Sequence, residues 1–109
     1  MTYLIVDADR NFREALAIAL RLEGHEVRTA SEARQACGQL ELGGVGCCVA
    51  DWSVEDIDEV LDLATRAGVR TIVTGIHPAL VDSTARRHPR TEALPKPFQA
   101  EELTGGERR

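Results

Sequence analysis

The stretch Leu4-Ile5-Val6-Asp7-Ala8-Asp9-Arg10 sets a short apolar run against an abrupt acidic stop. With Tyr3 in front, the run has none of the apolar-polar alternation of a half-exposed strand. It predicts a strand buried on both faces that ends at Asp7. Beyond it, apolar residues recur at Phe12, Ala15, Leu16, Ala19 and Leu20, the stripe of an amphipathic helix, and Gly24 stands where a glycine commonly terminates one.

The same strand-then-helix unit repeats outward along the chain. Residues 27–30 predict a second strand, Ser31 an N-cap, and Ala33, Ala36, Cys37 and Leu40 a second helical stripe before the Gly43-Gly44 break. Residues 47–50 form a third apolar run, again closed by an aspartate, Asp51. A helix carrying Ile57, Val60, Leu61 and Ala64 follows, up to Gly68. Residues 69–73 predict a fourth strand ending at Thr74-Gly75. A weaker helix with Leu80, Val81 and Ala85 then runs from Pro78 towards His88-Pro89. Ala93-Leu94 predicts a short fifth strand, and residues 99–103 only the beginning of a fifth helix. Alternation of this kind implies an α/β domain: a parallel sheet covered on both faces, with right-handed crossovers. The domain is expected over residues 1–103, with 104–109 a linker or disordered tail.

Composition narrows the function. The 109 residues, 43% apolar and 28% charged, suffice for one domain with its own core. A net charge of −5 disfavours direct binding to a phosphate backbone, so no nucleic-acid contact is expected. The apolar run near the start is too short for a signal peptide or a membrane span, which predicts a cytoplasmic protein with no membrane partner. Cys37, Cys47 and Cys48 lack C-x-x-C spacing and are expected to be reduced core-filling side chains. His25, His77 and His88 have no partner at metal-ligand spacing.

In an open parallel sheet, ligands bind outside the carboxyl ends of the strands. The residues expected there are Asp7 with Asp9, Asp51, Thr74 and, just past the fifth strand, Lys96. Taken singly each has a bland explanation: a capping or solvated carboxylate, a turn hydroxyl, a solvated ammonium. Jointly they bring hard oxygen ligands suited to magnesium, a carboxylate able to attack phosphorus, and a hydroxyl and an ammonium able to take up phosphoryl oxygens. Lys96 is the single lysine beside twelve arginines, which suits a site that wants a compact charge rather than a planar fork.

The segments LIVDADR, CVADWS, TIVTG and PKPF, at these intervals, resemble the receiver domain of two-component response regulators over about residues 2–103. The resemblance implies a flavodoxin-like (βα)5 fold with strand order 2-1-3-4-5 and a truncated fifth helix. It implies Asp51 as phosphoacceptor, Thr74 and Lys96 as catalytic and switch residues, and a cis peptide between Lys96 and Pro97. Mg2+ would be held by Asp7, Asp51 and the Ser53 backbone carbonyl. The implied donor is a histidine kinase or phosphotransfer protein, and the output a homodimer or a C-terminal effector domain. Such a domain catalyses at most its own phosphotransfer and dephosphorylation. Gly75, lacking a side chain, would leave the site's entrance open.

Three departures qualify the resemblance. Ala8 takes the place of the second acid of the usual pair, weakening the metal site unless Asp9 bends in. The acceptor loop Ser53-Val54-Glu55-Asp56 lacks the usual proline and glycine, and Ala93 stands where a switch aromatic is common. They favour an alternative, a phosphorylation-independent receiver-like module for protein interaction or dimerisation. A remoter one is a haloacid-dehalogenase-like phosphotransferase using Asp7 and Asp9 as its D-x-D pair. Against it, Asn11 stands at the fifth motif position, and no strand with an acidic pair follows Lys96.

Overall fold

The computed structural model describes residues 1–105. Five strands alternate with five helices: β1 (Thr2–Val6), α1 (Arg10–Leu22), β2 (Glu26–Ala30), α2 (Ala33–Glu41), β3 (Cys47–Asp51), α3 (Ile57–Arg66), β4 (Arg70–Gly75), α4 (Pro78–Arg87), β5 (Thr91–Pro95) and α5 (Ala100–Thr104). All strand pairs are parallel, in the order β2-β1-β3-β4-β5. This is the flavodoxin-like topology expected from the sequence, with α5 reduced to five residues.

The continuous apolar runs occupy the centre of the sheet, where both faces are covered. Tyr3 to Val6 are fully buried and β3 is buried throughout. Successive side chains of a strand point to opposite faces, so each central strand feeds two cores. Leu4, Val6, Cys48 and Ala50 pack with α2 and α3 through Ala36, Leu40, Val60 and Leu61. Tyr3, Ile5, Cys47 and Val49 pack with α1 and α5 through Leu16, Leu20 and Leu103.

Several local expectations are corrected. Ser31 does not cap α2: Glu32 is the cap, without a side-chain bond, and Ser31 donates its N–H and hydroxyl to Gln35 Oε1 at 2.9 and 3.1 Å. In α4 the buried positions are Val81 and Thr84, whereas Leu80 is 43% exposed. The Thr84 hydroxyl is accommodated there by donating to the Leu80 carbonyl at 2.8 Å. Thr104, assigned by the sequence to the tail, is helical and buried, its hydroxyl donating to Glu23 Oε1 at the end of α1 at 3.3 Å and to the Ala100 carbonyl at 3.4 Å. The rest of the expected tail from 106 onward lies outside the described residues.

Two ties fix helices α3, α4 and α5. His88, at the end of α4, lies between two carboxylates of α3, with Nε2 2.6 Å from Asp58 Oδ1 and Nδ1 3.2 Å from Asp62 Oδ1. Arg70 on β4 pairs with Glu92 on β5 through two nitrogens and donates its third to the Leu103 carbonyl at 2.6 Å. Among the described residues no helix is long and apolar enough to cross a membrane.

Candidate functional site

Residues from the ends of three strands meet at the carboxyl edge of the sheet. Asp7 follows β1, Asp51 ends β3 and Lys96 follows β5. The Lys96 N–H donates to the Gly75 carbonyl at 2.8 Å, which extends the β4–β5 pairing by one step and fixes where the lysine starts. The Lys96–Pro97 peptide is cis, as the resemblance implied. From there the ammonium reaches both acids: Nζ lies 2.8 Å from Asp7 Oδ2 and 2.9 Å from Asp51 Oδ2. Asp7 and Asp51 are 2% and 5% exposed, so the ammonium is what makes two buried carboxylates at one edge tolerable.

The remaining carboxylate oxygens are occupied from within the chain. Asp7 Oδ1 accepts the Asp9 N–H at 2.9 Å, while Asp51 Oδ1 accepts the Ser53 N–H at 2.7 Å and its hydroxyl at 2.5 Å. Burial pushes the Asp51 carboxyl up. The hydrogen bonds from Ser53 and Lys96 and the lysine charge outweigh it, holding the group below the ordinary carboxylate range. Burial likewise lowers Lys96, and its hydrogen bonds to Asp7 and Asp51 reverse that and raise it.

A cavity of about 450 Å³ opens over these groups, lined by Asp7, Ala8, Asp9, Asp51, Trp52, Ser53, Ile76, His77 and Lys96. Asp9 stands exposed at its rim as the N-cap of α1, its Oδ1 accepting the Phe12 N–H at 3.2 Å. One oxygen of the Asp9 carboxylate is thus engaged in capping the helix. Among the described residues no group of three or more His, Cys, Asp or Glu side chains could hold a metal. The cavity offers two buried carboxylates, Asp7 and Asp51, hard oxygen donors of the kind magnesium takes, and both rest against the Lys96 ammonium.

Thr74 pairs with Asp51 in the β3–β4 register, so both end their strands side by side. Its hydroxyl is buried and, among the described residues, has no hydrogen-bond partner. Thr74 does not line the cavity. The approach from that side carries Trp52, whose indole lies against the backbone of Gly75: a Cβ built on Gly75 would overlap Trp52 Cδ1 and lie 2.6 Å from Nε1. Gly75 therefore does not leave the entrance open, as the sequence suggested. It seats an indole, which also meets His77 edge to face at 6.2 Å between ring centroids. Nothing in the spacing of the motifs indicates this use of Trp52, although its place directly after Asp51 is a usable signal. Ala93 sits away from the site, exposed on edge strand β5 and paired with Val73.

An unpaired buried hydroxyl is costly, and the expected result of Thr74→Val is a domain stabilised by about 1 kcal/mol, because an isosteric methyl needs no acceptor. An unchanged or lowered urea midpoint would mean that the hydroxyl is satisfied in solution.

No family model matches the sequence, and no curated protein matches it either. Solved structures do. A receiver domain protein of a response regulator from Methanospirillum hungatei, described as CheY-like, superposes with a TM-score of 0.84 at 22% identity, over 98% of this chain and 90% of that one. The chemotaxis protein CheY4 of Vibrio cholerae gives 0.81 at 20% identity, over 99% and 96%. A response regulator protein of Burkholderia pseudomallei, solved with a phosphorylated aspartic acid, a calcium ion and citrate, gives 0.82 at 19% identity over 95% of this chain. The chain spans 64% of that protein's length. At these similarities the chain has the fold of response regulator receiver domains.

Proposed function

We propose that the chain is a phosphorylation-dependent signalling receiver that takes a phosphoryl group on Asp51 from a phosphohistidine of a histidine kinase or phosphotransfer protein. The observation that carries this is the Thr74 hydroxyl, buried beside Asp51 and without an acceptor among the described residues. An aspartyl phosphate would supply that acceptor. In the transfer, a carboxylate oxygen of Asp51 bonds to phosphorus as the bond to the imidazole nitrogen breaks, and the imidazole leaves neutral, retaining the proton on its other nitrogen. Lys96 then follows one phosphoryl oxygen, which costs it a carboxylate contact, and Thr74 donates to another. The change favours a conformation in which both contacts are made, and the output, through a second copy or an effector domain, is a shift between two populations.

Magnesium would be held by Asp7, Asp51 and the Ser53 carbonyl, and when bound it would neutralise charge on the phosphoryl oxygens. With Ala8 in place the affinity is expected to be low. Ala8→Asp is expected to tighten it about tenfold, worth roughly 1.4 kcal/mol, and a magnesium titration that shows no gain would place the ion elsewhere. A cytoplasmic location belongs to the same reading, as does the absence of any activity beyond the domain's own phosphotransfer and dephosphorylation.

A second reading has its own support. Every oxygen of Asp7 and Asp51 already has a partner in the chain, and the position of the second acid is an alanine. Such a site favours a module that binds partners without phosphorylation. The dehalogenase-like alternative fares worse, since Asp9, its general acid, caps α1. Intact mass after incubation with acetyl phosphate and magnesium separates the readings. The receiver gains one hydroxylamine-labile phosphoryl group, and Asp51→Asn gains none. No gain in the wild-type chain supports the phosphorylation-independent module.

A further inference from the structure

The ammonium of Lys96 has three N–H bonds, and the two carboxylates account for two of its sides. On another side lies an aromatic ring: Nζ is 3.9 Å from the centroid of Phe12. At that distance the negative face of the ring attracts a cation, and the attraction grows as water is removed. Here the lysine side chain is only 11% exposed. The ring is itself held in place. The Phe12 N–H is tied to the Asp9 carboxylate at the start of α1, and the ring packs edge to face on Phe98, 5.7 Å away, just past the cis Lys96–Pro97 peptide. Periodicity assigns Phe12 to the apolar stripe of α1, but its position in the first turn of the helix puts it at the carboxyl edge of the sheet, where it serves the site as well as the core.

We propose that Phe12 is a positioning residue for Lys96: its ring face closes the coordination of the ammonium and holds it on the Asp7–Asp51 pair. The proposal rests on the receiver reading for its consequence, namely that the lysine reaches a phosphoryl oxygen by sliding along a fixed aromatic wall rather than by searching from solvent. Asp9 enters the same chain of support. By capping α1 through Phe12 it sets the ring's height over the ammonium, a use of that carboxylate that needs no metal.

Because Lys96 is the sole lysine, an amine-selective acylating reagent can modify only it and the N-terminal amine, and peptide mapping separates the two. Phe12→Leu keeps an apolar side chain but removes the ring, and is expected to speed acylation of Lys96 roughly fivefold. Phe12→Trp restores a ring face and is expected to return the rate to near that of the wild type. The N-terminal amine serves as the internal reference, and continued slow reaction of the buried Cys47 and Cys48 thiols reports that each variant is folded. Equal rates in Phe12→Leu and wild type would overturn the proposal, as would equal acceleration in both variants, which would point to packing alone.

A measurement without substitution completes the test. In the wild-type domain the Lys96 Cε protons should be shifted upfield by the ring current of Phe12, and ordinary lysine shifts would overturn the proposal whatever the variants do. None of these readouts involves phosphate. A domain that fails to accept a phosphoryl group while protecting Lys96 would refute the receiver reading and leave the positioning role standing.

Discussion

Lys96→Met is expected to destabilise the domain by about 2–3 kcal/mol near neutral pH, discounted from the roughly 3–5 kcal/mol typical of a broken buried pair because the cavity opens to water. The loss comes from the two acids left behind rather than from the lysine. Asp7 and Asp51 lie almost wholly out of solvent and would face each other without a cation. The pH dependence follows from the shifts. Asp51 is depressed in the folded state, so its contribution is present above the ordinary carboxylate range and is lost as pH falls through its folded value. Lys96 is raised, so its contribution is full below the ordinary lysine range and is lost as pH rises through its folded value. The wild-type cluster should therefore add stability that is level between about pH 4 and about pH 10. In Lys96→Met the deficit should shrink as pH falls, because protonation relieves the repulsion between two carboxylates left without a cation. Lys96→Met with Asp7→Asn should recover much of the loss at pH 7. Urea denaturation across pH measures all three, and a deficit independent of pH with no recovery in the double variant would show that lost packing, not charge, is responsible.

Gly75→Ala is expected to cost about 1–3 kcal/mol, the range for forcing a methyl group into a filled site. The added Cβ would overlap the five-membered ring of Trp52 and come within 3.2 Å of Val81 Cγ2. Val81 is fully buried and cannot retreat, whereas Trp52 is half-buried and can swing outward. The indole should therefore leave its seat, and its fluorescence should move to longer wavelength. In a Trp52→Ala background the same substitution should cost much less, giving a coupling of about 1 kcal/mol or more in a double-mutant cycle. Additive costs would mean that the indole does not rest on Gly75 in solution.

The parts of this molecule that were legible in its sequence are those governed by periodicity and by the ends of strands. Unbroken apolar runs at 3–6 and 47–50, each followed by a helical stripe, mark central strands of a covered parallel sheet, and in such a sheet the acids that close the runs emerge at the same edge. That placed Asp7 and Asp51 together and, with the interval to Lys96, gave the charged cluster before any coordinates. What was not legible depends on which way one side chain turns. Spacing cannot tell that Asp9 folds back onto the Phe12 N–H, that Trp52 lies over Gly75, or that Thr74 is left without an acceptor. Each is settled by a competition between local hydrogen bonds and packing among residues far apart in the chain. Leu80 illustrates the same limit in α4, where the stripe is too weak to fix the helix rotation and a threonine that bonds its own backbone takes the buried position.

The division of the two neighbouring cysteines of β3 between opposite cores bears on how the domain breathes. Cys47 faces the layer of α1 and α5, and Cys48 the layer of α2 and α3. Burial pushes the Cys48 thiol far above its ordinary value, so it reacts only when its layer lifts. Adjacent in sequence and separated by the sheet, the two sulfurs act as independent clocks for the two sides of one strand. If the domain opens as a whole, they run at the same rate. If one helical layer peels away first, one clock runs ahead of the other, and the identity of the faster cysteine names the layer that opens. Cys37, half-buried on α2, marks the time of the surface.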